Sequence, residues 1–201
     1  MNVVRDRIAR RAAALVAAGA PDVDAAIHQA AHQLGFTRGA PLPTAGEVRR
    51  HLQGMAQEAL GDQGYRAWVA EHHALAAVVM DLLERAFAGP TLLAGRAARG
   101  QFDGGATLHV RLYTRAPLHS IAQALVDAGF AEPTIETIDT RHGRANRLRI
   151  DHEGTEIAVT RCLPEWWPER ASDLVTGRRT ATLDLEGVRA LGPDPLSPDR
   201  P

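Results

Sequence analysis

The 201 residues carry 23 Lys plus Arg against 24 Asp plus Glu, with 45% hydrophobic residues. That is enough apolar material for a core, and the near-zero net charge gives no general attraction to polyanions or to a membrane surface. The single Cys162 excludes an internal disulfide framework and a cysteine-rich zinc site; no uninterrupted apolar run is long enough to cross a bilayer, so the expectation is a soluble cytoplasmic protein.

The first part of the chain reads as helical. Val4, Ile8, Ala12 and Leu15 recur at helical spacing, and "GAP" at Gly19–Pro21 stops the segment. A second helix runs from about Asp22 to Leu34, with Ile27, Ala31 and Leu34 on one side and Gly35 as its stop. In "TAGE", Thr44 stands three residues before Glu47, a capping-box spacing that starts a helix ending near Gly61. From Asp62 to Ala88, Trp68, Leu75, Val78, Val79, Leu82, Leu83 and Phe87 sit at helical spacings, and Gly89–Pro90 closes the segment.

Beyond Pro90 the period changes. "TLLA" reads as a short strand, "GRAARGQFDGG" as a glycine-punctuated loop, and "TLHVRLYT" as a strand alternating Leu108, Val110 and Leu112 with Thr107, His109, Arg111 and Tyr113. "PLHSIAQALVDAGF" is an amphipathic helix with Ile121, Leu125 and Phe130 inward. "TIETIDT", "NRLRIDH" and "TEIAVTR" follow as strands joined by short antiparallel turns. A short helix spans about Asp184–Leu191, and "GPDPLSPDRP" is a Pro-rich tail. The expected organisation is a helical region over 1–89, an α/β domain over 90–192 and a tail over 193–201, in an α+β fold: a helical region followed by a small mixed sheet with helices on one face. The opposite face then collects Thr107, His109, Arg111, Arg147, Arg149, Asp151, Glu156 and Thr160, because each alternates with an apolar neighbour.

This layout resembles the nucleotidyltransferase superfamily, and within it an uncharacterised group of bacterial proteins with a helical N-terminal region. The echoes are "AAHQLGFTRGAPLPTAGEV", "LLAGRAARG", "LHVRLYTRAP", "TEIAV" and "GRRTAT". In that superfamily a strand leads into a Gly-Ser turn, the next strand carries an Asp-x-Asp pair, and a later strand carries a third carboxylate; together they hold two divalent metals against a nucleoside triphosphate. The resemblance puts Gly95 at the turn glycine, Arg96 at the serine, Thr107 and His109 at the acidic pair, and Glu156 at the third carboxylate. Mg²⁺ prefers hard anionic oxygen, which a hydroxyl and an imidazole do not supply. The resulting expectation is a degenerate site that binds a nucleotide or other phosphorylated ligand, or a protein partner, without efficient turnover. Arg111, Arg147 and Arg149 are the candidate oxyanion contacts.

Two alternatives stand beside it. One is an active Mg²⁺-dependent nucleotidyltransferase that uses Asp103 with Glu156 as metal ligands and His109 in the catalytic set, Asp103 being a displaced ligand from the preceding loop. The other is a partner-binding module whose helical region docks a second copy or another protein, as in toxin–antitoxin pairs. Each constellation also has a plain structural reading. The polar strand face is then a solvated surface with cross-strand ion pairs, and His109 a surface residue.

His28 and His32 lie one helical turn apart, but Gln29 replaces the glutamate of a zincin helix, which favours a surface pair. His72 and His73 point about 100° apart around a helix, with His72 beside Trp68 and Leu75 at the edge of the core. In "LPEWWPER" one of Trp166 and Trp167 anchors the loop, and the other is available to stack on a base or seal an interface. Arg5, Arg7, Arg10 and Arg11 read as a solvated helix face; net positive charge and interleaved aromatics are absent, which disfavours nucleic acid.

Overall fold

The computed structural model describes residues 3–20, 22–36, 39–102 and 107–191. The chain divides into two compact units, one ending at Tyr65 and one beginning at Arg66. The change of period at Pro90 marks where strands begin, but the unit boundary falls earlier. Ala76, Val79, Met80 and Leu83, from the preceding helix, belong to the core of the sheet. The tail expected over 193–201 lies outside the described residues. No helix among the described residues is long and apolar enough to cross a membrane.

The first unit is built from α1 (Val3–Ala17), α2 (Val23–Gln33) and the first part of α3 (Ala45–Ala86). Ile8, Ala12, Ile27, Ala30, Val48 and Leu52 form its core, mostly from small side chains that let helices approach closely. Asp22 caps α2 by accepting the Ala25 N–H at 2.9 Å. The capping box at Thr44 forms as expected: Glu47 accepts the Thr44 N–H at 2.8 Å, and the Glu47 N–H donates to the Thr44 hydroxyl at 3.3 Å. Arg5 of α1 donates to the same Glu47 carboxylate at 2.6 Å, so the N-terminal arginines are not all solvated. The Thr44 N–H first, and the Arg5 guanidinium second, hold the Glu47 carboxyl down at about 2. His28 and His32 face solvent on α2.

Gly61 interrupts α3 with φ 68° and ψ 166°, a conformation that favours glycine and matches the expected stop. In the second unit the later part of α3 packs on a six-stranded sheet of order β3-β4-β5-β2-β1-β6. The strands are β1 (Thr91–Ala94), β2 (Thr107–Tyr113), β3 (Thr134–Thr140), β4 (Gly143–His152), β5 (Thr155–Cys162) and β6 (Thr182–Leu183); α4 (Leu118–Asp127) follows β2, and α5 (Leu185–Arg189) follows β6. Only β2 and β5 run parallel; the other neighbours are antiparallel. β4 begins at Gly143, earlier than the sequence reading placed it, so the β3–β4 connection is Arg141–His142 alone.

One face of the sheet is aliphatic. Leu93, Leu108, Val110, Leu112, Leu148, Ile150, Ile157 and Val159 meet Val79, Met80 and Leu83 of α3, Ile121 and Leu125 of α4, and Val188 of α5. Each fully buried Leu, Ile or Val contributes on the order of 1.5–3 kcal/mol, so this face accounts for most of the unit's cohesion. The backbone comes equally close at Gly89: a Cβ there would lie 1.9 Å from the Tyr113 carbonyl oxygen, so only glycine fits.

The other face is not simply open. At the Tyr113 end of β2, Leu92, Tyr113, Cys162 and Leu174 form a small second core, with Trp166 and Trp167 packed on it. Both tryptophans anchor the 3₁₀ segment Pro164–Glu169: Trp167 meets the Tyr113 ring edge-on with centroids 5.0 Å apart, and Trp166 stacks on His142 at 4.8 Å. Burial pushes the Cys162 thiol up to about 12, consistent with a packing residue.

Candidate functional site

Strand register assembles the polar row. Thr107 lies opposite Glu156, His109 opposite Ala158, and Arg111 opposite Thr160 across the parallel β2–β5 pair. Across β4–β5, Arg147 faces Thr160, Arg149 faces Ala158, and Asp151 faces Glu156. Ala94, just before Gly95, pairs with His109. Gly95, Thr107, His109, Arg111, Arg147, Arg149 and Glu156 are thus gathered on one side of four adjacent strands. Asp103 lies outside the described residues. Ala158 and Thr160 are buried despite facing this side, because the longer arginines of the flanking strands lie over small residues.

Most of the charge is paired. Arg149 bonds Glu156 and lies 3.4 Å from Glu136; Arg147 reaches Glu136 at 3.1 Å and the Thr160 hydroxyl at 3.2 Å. Glu136, opposite Arg147 on β3, was absent from the sequence-derived candidates, although its position in "TIETIDT" has the parity that puts it on this face. Arg111 departs furthest from the sequence reading. It is buried, and its Nη1 donates to the Arg170 carbonyl at 3.0 Å and the Ser172 carbonyl at 2.8 Å, tying the Trp-bearing segment to the sheet.

A cavity of about 110 Å³ lies where these elements meet, lined by Gly95, His109, Arg111, Arg147, Asp173 and Thr180 among others. His109 makes no hydrogen bond to the described residues and reaches solvent. Partial desolvation, followed by the Arg147 charge, lowers its pKa against the opposing pull of Glu156, which favours the neutral imidazole. Asp173 is committed to its own turn, accepting from the Val175 N–H at 3.1 Å and from the Thr176 N–H and hydroxyl at 2.7 and 2.8 Å. Burial raises its pKa, but these donors outweigh that and the net shift is downward. An Asp followed by Thr and Gly in "SDLVTG" is the turn signal that could have flagged it.

The resemblance drawn from the sequence implies a divalent metal at Thr107, His109 and Glu156. The donors do not fit one. A hydroxyl and an imidazole are poor Mg²⁺ ligands, and the one carboxylate of this set, Glu156, is engaged by Arg149. Among the described residues no group of three His, Cys, Asp or Glu side chains is arranged to hold a metal ion. The Gly95 N–H, which would point at a phosphate in such a turn, donates to the Ala181 carbonyl at 2.9 Å, and Arg96 is not among the residues lining the cavity. Comparison with protein-family models, curated proteins and solved structures finds no match to this chain.

Proposed function

We propose that the second unit binds an oxyanion group, the phosphate of a nucleotide or of another phosphorylated small molecule, on a nucleotidyltransferase-like sheet, without metal-dependent transfer. One observation carries the reading: the cavity on the polar face is lined by two arginines and an imidazole beside Asp173, whose carboxylate is taken up by its own turn, while the neighbouring Glu156 carboxylate is paired with Arg149. Arg147 spends Nε and Nη1 on Thr160 and Glu136, which leaves Nη2 for a ligand oxygen. In its neutral form His109 donates from one nitrogen and accepts at the other. A volume of about 110 Å³ admits one phosphate or carboxylate group. Whole-ligand pockets typically run to roughly 300–1,000 Å³, so the rest of the ligand lies outside it.

The test is a metal-free titration with inorganic phosphate and with ATP, followed through the His109 imidazole resonances. Both anions are expected to shift them, and Arg147→Gln to weaken binding roughly tenfold, the worth of one charge-assisted hydrogen bond. Unmoved His109 resonances, or unchanged affinity in Arg147→Gln, would refute the proposal.

A further inference from the structure

A second cavity within the second unit lies on the helix-covered side of the sheet, away from the arginine row. Its volume is about 490 Å³, within the range of small-molecule sites. One wall is a single stripe of α3: Trp68, Glu71, His72 and Leu75, spaced so that successive turns of the helix stack them. The other wall is the β4–β5 turn, His152 to Thr155.

The chemistry of this cavity is the inverse of the first. Among the described residues its lining holds two carboxylates and no arginine, in a chain with 23 basic residues. The side chains of Glu71 and Glu153 are exposed and make no ion pair or hydrogen bond among the described residues, whereas Glu136 and Glu156 are both paired with arginine. Glu153 is also the only described non-glycine residue at positive φ, 52°, in a tight turn with Gly154 where Asn or Asp would be the ordinary choice. The wall behind the carboxylates is aromatic and fixed. Trp68 meets the His72 ring edge-on at 4.5 Å, and Phe102 packs behind both, at 5.5 Å from Trp68 and 5.0 Å from His72. Both His72 nitrogens are committed: Nδ1 donates to the Trp68 carbonyl at 2.7 Å, and Nε2 accepts from the Thr155 hydroxyl at 3.2 Å. His72 therefore holds helix to strand and has no lone pair left for a metal.

We propose that this cavity binds a small organic cation, a protonated amine, guanidinium or quaternary ammonium, with its charge between Glu71 and Glu153 and its apolar part against Trp68 and Leu75. Aromatic rings and unpaired carboxylates both favour positive charge, while the apolar contact offered by Trp68 and Leu75 favours alkyl substituents over bare metal ions. This inference is independent of the oxyanion site, which lies on the opposite face and uses none of the same residues.

The experiment titrates the full chain with choline, with agmatine and with the neutral tert-butyl isostere of choline, reading the Trp68 indole N–H resonance, assigned by its loss in Trp68→Phe. The two cations are expected to shift it saturably with Kd in the millimolar range or tighter, and the neutral isostere to leave it in place. Glu71→Gln and Glu153→Gln should each weaken cation binding about two- to fivefold, as for partly exposed ion pairs, with the fold intact by circular dichroism. Phosphate should not move this resonance. An equal response to the neutral isostere, no response to either cation, or unchanged affinity in both glutamine variants would overturn the proposal.

Discussion

The two faces of the sheet are made by the same strands and obey different physics. On the helix side, Leu108, Leu148, Ile150, Ile157 and Val159 are sealed beneath three helices, and cohesion scales with the apolar area removed from water. On the other side, Glu136, Arg147, Arg149 and Glu156 form a partly exposed ion ladder, whose pairs contribute little stability each. A strand that alternates Leu with Arg therefore divides its labour: one parity holds the fold, and the other is available for chemistry. The exception is the Tyr113 end, where Arg111 and the tryptophans bury part of the polar face as well.

Two substitutions test this division, the larger effect first. Leu148→Ala, at a side chain with 0% exposure, should lower unfolding free energy by about 2–5 kcal/mol in a denaturant titration, the range for truncating a buried leucine. A loss below the smallest of these values would mean that the aliphatic face is looser than its burial implies. Arg111→Met removes the donor to the Arg170 and Ser172 carbonyls and should cost about 1–3 kcal/mol, with a red shift in tryptophan emission as the Pro164–Glu169 segment loosens. If Arg111→Met were instead neutral, Arg111 would be a ligand residue held in place by something else, and the contrast between the two ends of the polar face would fail.

The sequence makes local geometry legible and leaves tertiary covering obscure. The capping box at Thr44, the stop at Gly61 and the strand "TIETIDT" appear where the residues place them, because each depends on neighbours a few positions away. Side-chain parity likewise puts Thr107, His109, Arg147, Arg149 and Glu156 on one face, since alternation along a strand is a backbone property. What covers that face is not encoded locally. The segment after Cys162 folds back over Arg111 through carbonyl contacts, which any sequence could supply, and the two-residue β6 is too short to leave a pattern. The choice of partner for Glu156 was equally hidden. Parity places four charges together, but only the register of β4 against β5 decides that Arg149 engages it.

The most direct test of the central claim is the affinity for ATP measured by calorimetry with and without Mg²⁺, with pyrophosphate release monitored in the same samples. A site built on arginines and an imidazole predicts binding that needs no metal, is unchanged or weakened when Mg²⁺ shields the phosphates, and releases no pyrophosphate. Binding that strengthens with Mg²⁺ and is accompanied by pyrophosphate would contradict it.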